Sequence, residues 1–267
     1  MPAKLSPEAE AAVRARIGYF RDLGMSDFYR RAIPAGETAL VTETVTEPEE
    51  AAAVETSPMR SAPSLPVIIE PSAPVKPKDR AAALQAIRDE IGDCQRCALA
   101  AGRNKLVFGD GNPNARLMFV GEGPGADEDA QGLPFVGRAG QLLNNMIAAM
   151  GLSRDQVYIA NIVKCRPPQN RVPEPVEANT CSPFLFRQID VIQPEVLVAL
   201  GSTAATYLLG AKSSLSALRG RVHQASGMKL IVTYHPAYLL RDPRQKKEAW
   251  ADLQIAMAEL GLKGPQK

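Results

Sequence analysis

From Asp79 onward the chain alternates two hydrophobic rhythms. Short apolar runs bounded by turn residues, RLMFVG (116–121), QVYIANIVK (156–164), VLVALG (196–201) and KLIVTYH (229–235), predict buried β-strands. Apolar positions at helical spacing lie between them, in RAGQLLNNMIAAM (138–150), PVEANTCSPFLFRQIDVI (175–192) and STAATYLLG (202–210). RAAALQAIRDEIGD (80–93) precedes the first strand and RQKKEAWADLQIAMAEL (244–260) follows the last, both helical in pattern. This alternation predicts an α/β fold, a three-layer α/β/α arrangement around a central, mostly parallel four-stranded sheet covered on both faces. Ligands of such sheets sit beyond the carboxyl ends of the strands. Gly121, Asn161, Gly201 and His235 fall at or near predicted strand ends, so Glu122, Asn161 and His235 are expected around one crevice.

Before Asp79 the pattern changes twice. Ser6 can cap a helix, Pro7 suits its first turn, and Val13, Ile17 and Phe20 make a helical stripe, so residues 1–33 are expected to form a helical arm. Residues 34–78 hold eight prolines, one glycine and no aromatic residue, which predicts a disordered linker reaching to about residue 79. Residues 80–267 are then the folded domain. No secretory signal pattern and no run of about 20 apolar residues occurs, so a cytoplasmic monomer without a membrane partner is expected. The formal net charge of +2 divides into about −2 for residues 1–80 and about +4 for the rest, a bias that permits a nucleic-acid partner without requiring one.

Four cysteines, Cys94, Cys97, Cys165 and Cys181, are spaced C-x2-C, a long gap, then C-x15-C. Disulfides do not suit a cytoplasmic chain of this size, which leaves unrelated buried thiols or a four-thiolate metal site. Zinc and an iron–sulfur cluster both take four thiolates, and the dispersed second pair leans toward [4Fe–4S].

The segment Gly121-Glu-Gly-Pro-Gly125 fits the bare pattern of a dinucleotide-binding turn. Glu122, Asp127, Glu128 and Asp129 would repel a pyrophosphate, and Pro124 removes a backbone donor. The glycines suit close approach of a flat ligand instead. Phe135 can offer it a stacking face or anchor the loop. Asn161 can pair with a donor and an acceptor on one edge of a ring. His235, before Pro236, is a better catalytic candidate than His223, which lies near a turn.

Together, Gly121-Glu-Gly-Pro-Gly125, Leu133-Pro-Phe-Val-Gly137, Asn161-Ile-Val-Lys-Cys-Arg-Pro167 and His235-Pro-Ala-Tyr-Leu-Leu-Arg241, with the four cysteines, resemble the family 4, iron–sulfur, uracil-DNA glycosylases from about Ala81 to Leu260. The resemblance implies a DNA repair enzyme that hydrolyses the bond between uracil and deoxyribose. It implies a structural [4Fe–4S] cluster on Cys94, Cys97, Cys165 and Cys181. Gly121 and Gly123 would let the base approach, Phe135 stack on it, Asn161 read N3 and O4, His235 donate to O2, and Glu128 stand near C5 against a thymine methyl. Leu239 or a neighbour would fill the gap left by the flipped base, while Arg138, Arg166 and Arg241 reach phosphates. The group that activates water stays open, because the superfamily's family 1 members carry Asp where this chain has Gly123; Glu122 is the candidate. Covalent trapping of uracil is disfavoured, since CRPPQNRVPEP is short and lacks histidine. The alternative is a metal-stabilised nucleic-acid-binding scaffold with weak or lost glycosylase activity, its arm taking a protein partner.

Overall fold

The computed structural model describes residues 79–262; the expected arm and all of the linker but Asp79 lie outside the described residues. Helix α1 (Arg80–Ile91) starts at Asp79, whose carboxylate accepts from the Ala82 N–H at 3.0 Å. It buries Leu84, Ile87 and Ile91, the apolar stripe of its sequence. The order that follows is β1 (Asp110–Gly111), β2 (Leu117–Gly121), α2 (Ala126–Gln131), α3 (Arg138–Ala149), β3 (Tyr158–Asn161) and α4 (Pro175–Ile192). Then come β4 (Val196–Leu200), α5 (Ser202–Leu209), α6 (Leu215–Leu218), β5 (Val222–Ala225), β6 (Met228–Thr233), α7 (Pro236–Arg241) and α8 (Lys246–Glu259).

The sheet runs β1-β3-β2-β4-β6-β5. Its four inner strands are the expected parallel set, and two antiparallel edges extend the four strands to six. Both edges escape an apolar-run search for physical reasons. β1 is a two-residue bridge containing Gly111, where a side chain would run into the Val157 carbonyl. β5 is only partly covered, and a tight turn with positive φ at Ser226 and Gly227 returns it to β6.

Alternate residues of the inner strands feed opposite layers. Met118, Val120, Ala160, Leu197, Ala199, Leu230 and Val232 pack with α1, α4 and α5, while Leu117, Phe119, Ile159, Val196, Val198 and Ile231 pack with α3 and α8. Burial on both faces explains why these strands read as continuous apolar runs. The expected strand over 156–164 shortens to Tyr158–Asn161, because the Ile162 and Val163 N–H groups turn to the Gly121 and Glu122 carbonyls as both strands end.

Parallel register sets the geography of the site. Gly121 pairs with Asn161, Leu200 pairs with Thr233, and the Gly201 N–H bonds to the Thr233 carbonyl at 2.9 Å. From β2 the chain moves outward to β3, then crosses back past β2 to β4, so a crevice opens above the carboxyl ends of the central strands.

Candidate active site

A cleft of about 850 Å³ occupies that crevice, lined by residues following each of the four parallel strands. Glu122 and Glu128 come from the β2 side, Asn161 from β3, Leu200 to Ser202 from β4, and Tyr234 and His235 from β6; Phe135 lines it as well. The crevice anticipated from strand ends is therefore real, and Glu122, Phe135, Asn161 and His235 share it.

Glycines let these groups meet. A methyl on Gly121 would strike both the Asn161 side-chain oxygen and the Phe135 ring, and one on Gly123 would lie 2.7 Å from Val163. Phe135 is 5% exposed, and its ring lies 5.5 Å from the His235 ring, tilted by 34°. Its backbone has φ 52°, a left-handed conformation that costs a bulky residue about 1–3 kcal/mol. The surrounding loop holds it there: Glu128 accepts from the Val136 and Gly137 N–H groups at 2.9 Å each and from Gly125 at 3.1 Å.

Asn161 is 1% exposed at the end of β3. Among the described residues its Oδ1 is the one buried side-chain nitrogen or oxygen with no hydrogen-bond partner. An acceptor left bare in the interior costs about 1–3 kcal/mol, which a ligand N–H can recover. Beneath it, the buried Lys164 ammonium donates to the Asn161 carbonyl at 3.0 Å and to Gln188 Oε1. Burial pushes Lys164 down to about 8.

His235 Nδ1 accepts from the Ala237 N–H at 3.1 Å, which leaves the ring proton on Nε2. Burial, followed by the nearby Arg241, pushes the imidazole down to about 4, against the opposing pull of Glu128. The ring is thus a neutral donor at physiological pH. Glu122 Oε2 accepts from the Thr203 hydroxyl in the first turn of α5.

The remaining expectations divide. Arg138 and Arg241 line the cleft. Arg166 is absent from its lining and directs Nε to Asn170 Oδ1 at 2.8 Å. Of the residues expected to fill the gap, Leu239 or a neighbour, Leu239 is 1% exposed and lies on the core side of α7, so it is not the exposed one; its neighbour Leu240 is, at 37%. Thr203 and Lys164, which are absent from the cleft lining but hydrogen-bond to Glu122 and to the Asn161 carbonyl respectively, are supporting residues that sequence reasoning missed. Thr203 follows the strand-end Gly201 by two residues, so extending the strand-end rule a little further would have reached it. Lys164 ends an apolar run, where a lysine ordinarily signals exit to solvent; its burial is a tertiary fact.

Apart from the cleft, the four cysteines are gathered from three segments: the loop after α1, the stretch after β3, and α4. All are free thiols, and all belong to or pack against one core cluster. Donors surround them: Arg103 reaches Cys165 Sγ at 3.1 Å, Arg96 reaches Cys94 Sγ at 3.3 Å, and the Lys164 N–H reaches Cys181 Sγ at 3.3 Å. Burial pushes the Cys165 and Cys181 thiols up, Arg103 and Lys164 respectively oppose this, and the sulfurs lie near enough to influence one another's ionisation. A set of four thiols with N–H donors aimed at the sulfurs fits the ligand chemistry of an iron–sulfur cluster. Among the described residues no group of three or more Cys, His, Asp or Glu has the arrangement of ligands to a single metal ion.

Comparison with known proteins gives a consistent result. The family model described as Uracil DNA glycosylase superfamily matches residues 108–254, more than half of the chain. The type-4 uracil-DNA glycosylase of Thermotoga maritima is 46% identical over 161 residues, covering 60% of this chain and 84% of that one. Its counterpart from Sulfurisphaera tokodaii is 46% identical over 173 residues, covering 61% and 79%. The Archaeoglobus fulgidus protein of the same name is 40% identical over 190 residues, covering 68% and 96%.

Proposed function

Because the chain belongs to the uracil DNA glycosylase superfamily and, within it, to the type-4 enzymes, we propose that the cleft receives a uracil swung out of DNA. The enzyme removes that uracil in DNA repair by hydrolysing the N-glycosidic bond, leaving an abasic site. The observation that carries the site assignment is the bare, buried Oδ1 of Asn161 beside a cleft that also contains Phe135 and His235.

Uracil supplies what this oxygen lacks. Its N3–H donates to Oδ1 while its O4 accepts from the Asn161 amide, and cytosine presents the reverse pattern. Phe135 stacks on the base. Bond cleavage places negative charge on the departing uracil, and His235 Nε2–H stabilises it at O2 as a donor already in position. Positive charge on the sugar is the complementary task, and Glu122 serves it, or orients water, with the oxygen not bonded to Thr203. Glu128, tied to three backbone amides, forms a stiff wall against the methyl of thymine.

Extrusion from a duplex costs roughly a few kcal/mol, and contacts with the flanking DNA must repay it. Leu240, exposed beside the cleft-lining Arg241, takes the wedge role expected of Leu239 or a neighbour. Arg138 and Arg241 contact phosphates. Cys94, Cys97, Cys165 and Cys181 hold a [4Fe–4S] cluster whose contribution is structural: it ties the loop after α1 to α4 and to the segment carrying Asn161. Purified protein is expected to be brown, with broad visible absorption and about four iron and four sulfide per chain. A colourless, zinc-bearing protein would contradict this assignment.

The activity itself is tested on an oligonucleotide with a single deoxyuridine. The full chain should release free uracil and leave an alkali-labile site. Retention of the oligonucleotide without release would favour the nucleic-acid scaffold. Among the described residues no helix is long and apolar enough to cross a membrane.

A further inference from the structure

Phe135 takes its left-handed conformation inside a loop whose amides are held by Glu128, but its carbonyl side needs a separate support. Arg154 provides it. This residue lies in the short 3-10 turn before β3, away from the cleft lining. Its guanidinium donates to the Pro134 carbonyl at 2.6 Å and to the Phe135 carbonyl at 3.1 Å.

The same group is fixed from behind. It reaches Asn144 Oδ1 on α3 at 3.1 Å and Asp110 Oδ2 at 3.3 Å. Asp110 belongs to β1, so the small edge strand paired with β3 supplies the brace for the guanidinium. Gly140 completes the clamp, since a side chain there would run into the Phe135 carbonyl. A planar cation with several donors can hold two successive carbonyls at once, a geometry that lysine cannot reproduce.

We propose that Arg154 is a positioning residue for base recognition: from outside the cleft it locks the Phe135 backbone so that the ring faces an extruded uracil. This rests on the stacking role assigned to Phe135 above. It acts through Phe135, and therefore has no effect of its own on base affinity once that ring is gone.

A double-mutant cycle with Arg154→Met and Phe135→Ala tests this, using free uracil as competitive inhibitor and an oligonucleotide with a stable abasic analogue as a probe of DNA affinity. Arg154→Met should weaken inhibition by free uracil about tenfold and leave abasic-DNA affinity within about twofold. In the Phe135→Ala background the same substitution should change uracil inhibition by less than about twofold. Equal effects in both backgrounds, or unchanged uracil inhibition in folded Arg154→Met, would overturn the proposal. Should Arg154→Met fail to fold, Arg154→Lys gives the same reading, because it keeps the charge but cannot span both carbonyls. Wild-type protein that is not inhibited by uracil would refute the cleft assignment itself, whereas an additive cycle with normal wild-type inhibition refutes only the role of Arg154.

Discussion

Asn161→Asp should lower uracil excision by about a thousandfold or more and collapse the preference for uracil over cytosine. The substitution keeps the shape of the side chain and replaces its donor with an acceptor. At a position 1% exposed, a carboxylate facing uracil O4 would be an unpaired interior charge, and breaking such a pairing costs about 3–5 kcal/mol. Cytosine, in contrast, presents an amino donor at the same place. The ratio of uracil to cytosine release in single-turnover assays is the diagnostic quantity, because damage to folding would depress both reactions together. Uracil release within about threefold of wild type would mean that Asn161 does not read the base.

His235→Ala should slow the chemical step by about 10²–10³-fold while leaving DNA affinity little changed, the size expected when one preorganised donor to a developing anion is lost. The group is most useful as a neutral imidazole whose tautomer is fixed by Ala237, and its position near pH 4 has a second consequence. Between pH 6.5 and about 4 the unfolded chain binds a proton at this histidine that the folded chain does not. Its contribution therefore lowers stability as pH falls through that window, with no contribution above it, and the loss approaches about 3 kcal/mol. Urea unfolding at pH 7 and pH 4.5 should show a smaller stability loss for His235→Gln than for wild type. A rate unaffected by His235→Ala would remove this residue from the chemistry.

Much of the frame was legible before any coordinates. Leu117–Gly121 and Val196–Leu200 are apolar throughout because the sheet buries both faces, so the strands themselves announced a covered parallel sheet. Strand ends then located Asn161 and His235. Other features depend on tertiary placement that a linear pattern does not carry. Leu239 and Leu240 are adjacent and identical, and only the rotation of a six-residue helix decides which is buried. Glu128 looks like one more acid in an acidic loop, yet three backbone amides converge on it. Arg154 sits in an ordinary polar turn, and its importance comes from carbonyls about twenty residues earlier.

The central claim concerns where the base goes. A crystal structure of the protein with duplex DNA containing 2′-fluoro-deoxyuridine, whose glycosidic bond resists cleavage, tests it most directly. The base should lie over Phe135, with N3 within hydrogen-bonding distance of Asn161 Oδ1 and O2 facing His235 Nε2. A uracil still stacked in its duplex, or bound away from these three side chains, would contradict the account.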